Sequence, residues 1–213
     1  MRTERIFGRR SHVEFVNIFD EESLRSSSGA IQILQNWALE YLCEPHEDLG
    51  RAGPVCPFTG PSVHRRLFWA GVVSGDDIDF ESMSDVVEDM ADIYPELPPR
   101  DGKDEIFKAI IAVFPDVNDF DLIDTVQFHG KSTFVNKGMM LGQFYPGCLQ
   151  SGLWNDDFRA LDAPLPMLAV RQMVSTDYPF LTGRAEWMSA YLKRFAPTVP
   201  PTARAFIVAK MEA

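Results

Sequence analysis

The loop over residues 44–61 carries the side chains best suited to chemistry. Seven glycines and prolines interrupt it, so neither a helix nor a regular strand is expected there. Cys56 lies in this loop two residues before Phe58, and His46 and His64 stand on either side. A cysteine thiolate can act as a nucleophile or as an axial ligand to haem iron, and a histidine can act as a ligand or proton carrier. The alternative interpretation of Cys56 is a small buried side chain that fills a turn.

Three arginines near Cys56 in the sequence strengthen the chemical interpretation. Arg51, Arg65 and Arg66 are expected to lie beside the thiol. Nearby cations favour the thiolate, which is the reactive form of cysteine.

A second candidate segment runs over residues 138–148. A strand there is followed by a turn, which brings Gln143, Tyr145 and Cys148 to the end of the strand. The alternative is an ordinary turn with no functional role. Under the functional interpretation, Cys56, Phe58, His46, Gln143 and Tyr145 would together bind a cofactor.

Arg171 is the most informative charged residue because it lies within an apolar strand pattern. A guanidinium in that setting needs a partner, which is either a carboxylate of the protein or the carboxylate of a substrate. The sequence leaves both alternatives open. If the chain is an enzyme, the predicted catalytic residues are Cys56, His64 and Arg171.

Metal and nucleotide sites have no support in the sequence. The four histidines form no HExxH or HxH pattern, and no two cysteines have the spacing of a zinc site, so no metal is predicted. The phosphate-loop, dinucleotide-binding and hydrolase nucleophile motifs are also missing. Three cysteines without framework spacing favour a reducing compartment, and the first residues do not form a secretory signal, so we expect a cytoplasmic protein.

The motifs of these segments resemble an uncharacterised microbial family. Its members share a GRxGxVCPF loop, a GxMxGQFxP strand and turn, and a PxLAxRxM strand, which correspond here to residues 50–58, 138–146 and 166–173. The resemblance covers about residues 30–195. Members of that family tend to be found in specialised-metabolite gene clusters, which implies a tailoring or accessory role.

The chain is also distantly similar to the YqcI/YcgG family, some members of which bind haem b and act on nitrogen-rich small molecules. The matching positions are few, namely residues 56–58 with Gly142 and Pro146. The histidine that this family usually carries before the later proline is Tyr145 here. The similarity implies haem b as a candidate cofactor.

The hydrophobic pattern places these segments in a single α+β domain. Apolar residues at helical spacing predict helices over 29–43, 81–94, 185–195 and 203–211, with a further helix capped by Asn118 or Asp119. Apolar runs bounded by turns predict four strands, over 67–73, 108–114, 139–144 and 167–174. We therefore expect an N-terminal arm over 1–28 and one domain over 29–213, in which a mixed sheet of about four strands packs with four to five helices.

Composition narrows the function without identifying it. The formal net charge of -11 argues against nucleic acid, and no apolar run is long enough to span a membrane. Two hypotheses remain. The first is a small tailoring enzyme of a specialised-metabolite pathway that acts on a small polar substrate and uses haem if the second similarity holds. The second is a non-catalytic accessory protein whose acidic helix face over 81–94 binds a basic partner enzyme of the same pathway.

Overall fold

The computed structural model describes residues 5–27, 29–199 and 201–211, and these form a six-stranded mixed sheet with helices on both faces. The strands lie in the order β1-β2-β3-β4-β6-β5 and comprise β1 (Arg5–Phe7), β2 (Glu14–Asn17), β3 (Phe68–Val72), β4 (Ala109–Val113), β5 (Met139–Phe144) and β6 (Met167–Gln172). Only β3 and β4 pair in parallel, and the other neighbours are antiparallel.

Seven α-helices surround the sheet in the described part of the chain. They are α1 (Glu21–Ser26), α2 (Gly29–Trp37), α3 (Thr59–Arg65), α4 (Phe80–Ile93), α5 (Phe120–Asn136), α6 (Ala185–Phe195) and α7 (Pro201–Met211). A π-helical turn, Ala38–Leu42, extends α2. Among these residues, no helix combines the length and apolar character needed to cross a lipid bilayer.

The structure confirms the α+β fold and the mixed strand directions, and it corrects the strand count. Six strands form the sheet instead of about four, because β1 and β2 lie in the segment that was expected to be an N-terminal arm. Strand β2 pairs with β3, and Phe15 and Ile18 of this segment are fully buried. The two strands have only three and four residues, which is too short for a clear alternating pattern.

Helix α3 also departs from the expectation of an irregular loop over 44–61. It begins at Thr59, and Gly60 and Pro61 lie in its first turn. The first N–H groups of a helix have no intrahelical partner, so a proline in this turn costs no hydrogen bond. The helix carries residues 59–65 along the sheet and thereby sets the position of the preceding Cys56 loop.

The sheet has two unlike faces. On the first, Ile110, Ala112, Leu168 and Val170 pack against α4 and α5 in a hydrophobic core. On the second, which we call the cavity face, Phe68, Ile111 and Met167 pack against α2 and α3. Because successive strand residues point to opposite faces, Ala169 and Arg171 project towards the cavity face from β6.

Candidate functional site

A cavity of about 440 Å³ lies on the cavity face and reaches around the edge strand β5. The sheet leaves room for the cavity because small residues line it there. Gly142 and its partner Ala169, together with Ala109, have no side chain larger than a methyl group. A methyl group added to Gly142 would meet nothing closer than the Phe144 ring at 3.4 Å. The walls are mainly apolar and include Trp37, Leu42, Phe58, Phe107 and Phe144. This size and lining are typical of sites for small molecules.

Cys56 lies on the wall of this cavity, half-buried. Its backbone N–H donates to the carbonyl of Leu42 at 2.9 Å, and the N–H of Val55 donates to the carbonyl of Glu44 at 2.8 Å. These bonds fasten the loop to the end of the π-helical turn. The thiol is free, so its position is set by the backbone and not by a disulfide.

Arg171 also lines the cavity, and its partner is a carboxylate of the protein. Its Nη1 and Nη2 atoms donate to the two oxygens of Asp177 at 2.8 and 2.6 Å, and Nη1 also donates to the carbonyl of Gln172. Asp177 is only 3% exposed, whereas the Arg171 side chain is 31% exposed. Three of the five guanidinium N–H donors are thus engaged, and the rest can reach a ligand.

The electrostatic surroundings keep Arg171 charged. Burial lowers the pKa of Arg171, but the hydrogen bonds and charge of Asp177 outweigh this, with a further contribution from Cys56, so that the pKa is raised overall. Cys56 and Arg171 both line the cavity.

Phe58 and Gln143, two of the residues predicted to bind a cofactor, line the same cavity. The Phe58 ring lies 5.7 Å from the Arg171 guanidinium carbon and 6.5 Å from the ring of Phe107. The side-chain amide of Gln143 makes no hydrogen bond to a described residue. Together with Cys56 and Arg171, these side chains come from distant parts of the chain.

Tyr145 does not line the cavity. Its hydroxyl donates to Asp124 at 2.8 Å, and its ring stacks on Phe120 with the centroids 4.9 Å apart. Burial raises the pKa of Tyr145, and Asp124 and Cys148 raise it further. Tyr145 therefore holds the end of β5 against α5 instead of facing a ligand.

The two histidines flanking the loop lie outside the cavity. His64 is exposed on α3, and His46 packs its ring against Tyr41 and Phe158 while its Nδ1 atom accepts a hydrogen bond from the N–H of Asp48. Cys56 is the one cysteine or histidine among the described residues that line the cavity. The cysteine and histidine ligand set considered for haem b is not assembled, so we derive no step through haem.

The three arginines expected beside Cys56 have other partners. Arg51 donates to the carbonyls of Ala52 and Val55 within its own loop. Arg65 pairs with Asp104 at 3.2 Å, and Arg66 lies 3.4 Å from a carboxylate oxygen of Glu21 at the surface. The arginine that lines the cavity with Cys56 is instead Arg171, which is remote in sequence.

Lys131 and Ser62 also line the cavity, and no motif in the sequence distinguishes them. Lys131 of α5 donates to the carbonyl of Phe180 at 2.9 Å and lies over the ring of Trp187. Burial lowers the pKa of Lys131, although Asp177 opposes this. Its spacing of four residues from Gln127, which also lines the cavity, is the one indication that the sequence contains. With Arg171, it makes this part of a very acidic chain locally positive.

Ser62 is the second such residue. It lines the cavity at 2% exposure, and its hydroxyl oxygen has no hydrogen-bond partner among the described residues. Leaving a buried hydroxyl unpaired costs about 1–3 kcal/mol, so a ligand that bonds to it recovers this energy.

The acidic face of α4, considered as a partner-binding surface, is paired in part within the chain. Asp89 is buried and accepts N–H groups from Arg9, Arg10 and Ser11. The Arg10 side chain also pairs with Glu88 and Asp92. One arginine offsets only part of the charge of these three carboxylates.

These features define an α+β domain with a mainly apolar cavity on one face of a mixed sheet. The chain belongs to the family described as Domain of unknown function (DUF6875), whose model matches residues 31–206. The match agrees with the resemblance to an uncharacterised family. No curated protein and no solved structure matches the chain.

Proposed function

We propose that this protein is a small tailoring enzyme of a specialised-metabolite pathway, which binds a carboxylate-bearing small molecule in the cavity and attacks it with Cys56. The observation that carries the proposal is the convergence of Cys56, Arg171 and Gln143 on one cavity. A nucleophile, an anchor for an anion and a free amide are the elements that a covalent mechanism needs.

Each side chain has a distinct role in this proposal. Arg171 attracts the substrate carboxylate through its unengaged N–H donors, while Asp177 holds the guanidinium in place. Lys131 adds positive charge at the same end of the cavity. The apolar walls, including Phe58, pack against the body of the substrate, so the substrate is amphipathic. Cys56 loses its proton to solvent water and adds to an electrophilic carbonyl carbon that the anchor has positioned, so the C–S bond forms as the C=O π pair moves to the oxygen. Collapse of this adduct expels the substituent of that carbon, which takes up a proton, and water then releases the acyl group from the thiol.

The accessory-protein hypothesis is the alternative, and the structure offers it less support. Its basic partner was expected to bind the acidic face of α4, where Arg10 engages Glu88, Asp89 and Asp92.

Untargeted metabolite profiling separates the two functions. The purified protein is incubated with a small-molecule extract of the cells that express it, and the extract is compared before and after by mass spectrometry. We expect at least one carboxylate-containing compound to be consumed by the wild-type protein and not by Cys56→Ser. Cys43→Ser is the matched control, because Cys43 is also half-buried and does not line the cavity. Binding of a compound without its conversion would contradict the proposal and support the alternative.

A further inference from the structure

At the free edge of β5, the outward N–H and C=O of Gln143 have no partner among the described residues. We call this position the gap. In the described residues β5 is the last strand of the sheet, and it pairs only with β6. Edge strands leave the N–H and C=O groups of alternate residues unpaired. Which residues of β5 face the edge follows from the register.

The hydrogen bonds at both ends of β6 establish that register. The N–H of Met173 donates to the carbonyl of Gly138, and the N–H of Phe114 donates to the carbonyl of Pro166. Odd-numbered residues of β6 therefore bond towards β5, and their partners in β5 are Met140, Gly142 and Phe144. The backbone groups of Leu141 and Gln143 consequently point outward, away from β6.

The edge is occupied on either side of Gln143. The carbonyl of Leu141 accepts a hydrogen bond from the side chain of Gln127 at 2.8 Å. The N–H of Tyr145 donates to the carbonyl of Leu161, and the carbonyl of Tyr145 accepts from the N–H of Ala163, both at 3.3 Å. Between these contacts, the outward N–H and C=O of Gln143 have no partner among the described residues.

This gap opens into the cavity. Gln143 lines the cavity together with its neighbours Leu141 and Leu161, and the unpartnered side-chain amide of Gln143 lies at the same place. One outward donor, one outward acceptor and one free amide are therefore presented to whatever occupies the cavity. The gap is too short to pair with a strand of another protein, because Gln127 and the 161–163 segment close it at both ends.

We infer that the ligand of the cavity carries a secondary amide, as in an N-acylated amino acid or short peptide, and that this amide pairs with the backbone of Gln143. The N–H and C=O of a trans amide point in opposite directions, so only one of them can meet this edge residue. We assign the N–H, which donates to the outward carbonyl of Gln143, as an N–H of an added strand does in peptide recognition. The inference deepens the proposed function and rests on it for the carboxylate at Arg171.

The test compares three probes that differ only in the amide. They are N-acetyl-phenylalanine, its N-methylated analogue, which lacks the N–H donor, and 3-phenylpropanoate, which lacks the amide. Binding to ¹⁵N-labelled full-length protein is followed by NMR. The Cys56→Ser variant is used, so the readout depends on binding and not on reaction.

We expect N-acetyl-phenylalanine to shift the backbone and side-chain resonances of Gln143 and to bind about three- to tenfold more tightly than either analogue, the range expected for one lost hydrogen bond. Gln143→Ala keeps the backbone groups of residue 143 and should retain this preference, as should Gln32→Ala, on the exposed surface of α2. Loss of the preference in Gln143→Ala would assign the contact to the side-chain amide and overturn the inference. Equal affinities for the three probes, or no shift at Gln143, would overturn the inference. The proposed function fails by a different result, namely conversion of substrate by Cys56→Ser.

Discussion

The guanidinium of Arg171 lies over the ring of Phe58, with 5.7 Å between its central carbon and the ring centroid. This contact joins β6, which lies next to the edge strand β5, to the loop that carries Cys56. Asp177 holds the guanidinium from the other side through two hydrogen bonds. The relationship between Arg171 and Phe58 thus ties this cation to the loop of the candidate nucleophile, and two of its N–H donors have no partner among the described residues.

The Arg171–Asp177 pair should contribute strongly to stability. Arg171→Ala leaves the carboxylate of Asp177 almost fully buried without its ion-pair partner, which costs about 3 kcal/mol or more. Urea denaturation measures this loss. The control is Arg66→Ala, which removes an exposed contact with Glu21 and should change stability by about 0.5 kcal/mol or less. Equal stability of the two variants would contradict the structural role of the pair.

Filling the cavity at Gly142 should protect Cys56 from reagents. Gly142→Leu projects a side chain into the cavity, because nothing lies closer than 3.4 Å to the first added carbon. We expect alkylation of Cys56 by N-phenylmaleimide, followed by peptide mass spectrometry, to slow severalfold. Cys43 in the same protein is the internal control and should react as in the wild type. An unchanged rate at Cys56 would mean that reagents reach the thiol by another route.

The Asp89 cluster should make stability depend on pH in the acid range. Burial raises the pKa of Asp89, but hydrogen bonds from Ser11 and Arg10 outweigh this, so the pKa lies below its ordinary value. A lowered pKa contributes stability above the unfolded-state pKa of about 3.9, and this contribution is lost as the pH falls through the folded-state value.

Asp89→Asn should therefore destabilise the protein by about 2 kcal/mol at pH 7 and by progressively less below about pH 4. Thermal unfolding of both proteins from pH 7 to pH 3 measures the difference. Asp85→Asn, on the same helix, is the control. A constant difference between Asp89→Asn and wild type across this range would disprove the assignment.

The histidines should be dispensable for the chemistry. His46→Ala and His64→Ala are expected to convert the substrate as the wild type does, because neither side chain lines the cavity. Their absorbance spectra, recorded on protein from haem-supplemented cells, should match the wild-type spectrum. A Soret band that is present in the wild type and lost in either variant would instead identify that histidine as a haem ligand.

Local patterns in the sequence were sufficient to predict most of the fold. Strand β5 matches its predicted range, and α4, Phe80–Ile93, differs from its prediction by one residue at each end, because its apolar spacing and its cap at Asp79 are local signals. The strands β1 and β2 escaped prediction, since their stability comes from pairing within the sheet, β1 with β2 and β2 with β3, and not from their own pattern. Helix α3 escaped because proline was taken as a breaker at a position where a helix tolerates it.

Part of the candidate site was also predictable from local patterns in the sequence. The loop rich in glycine and proline, the end of a predicted strand and an arginine within an apolar strand pointed to Cys56, Phe58, Gln143 and Arg171. These four residues line one cavity. His64 was predicted as a site residue because it is close to Cys56 in the sequence, but its side chain on α3 is exposed. Ser62 and Lys131 gain their importance only from what the fold packs around them, and a single sequence does not contain that information.

Complementation in the cell that carries the gene tests the central claim most directly. The chromosomal copy is deleted, and the wild type, Cys56→Ser or Cys43→Ser is supplied in its place, with the metabolite profile as the readout. We predict that the wild type and Cys43→Ser restore the compound lost on deletion, while Cys56→Ser, expressed at the same level, does not. Full restoration by Cys56→Ser would contradict a catalytic role for this thiol.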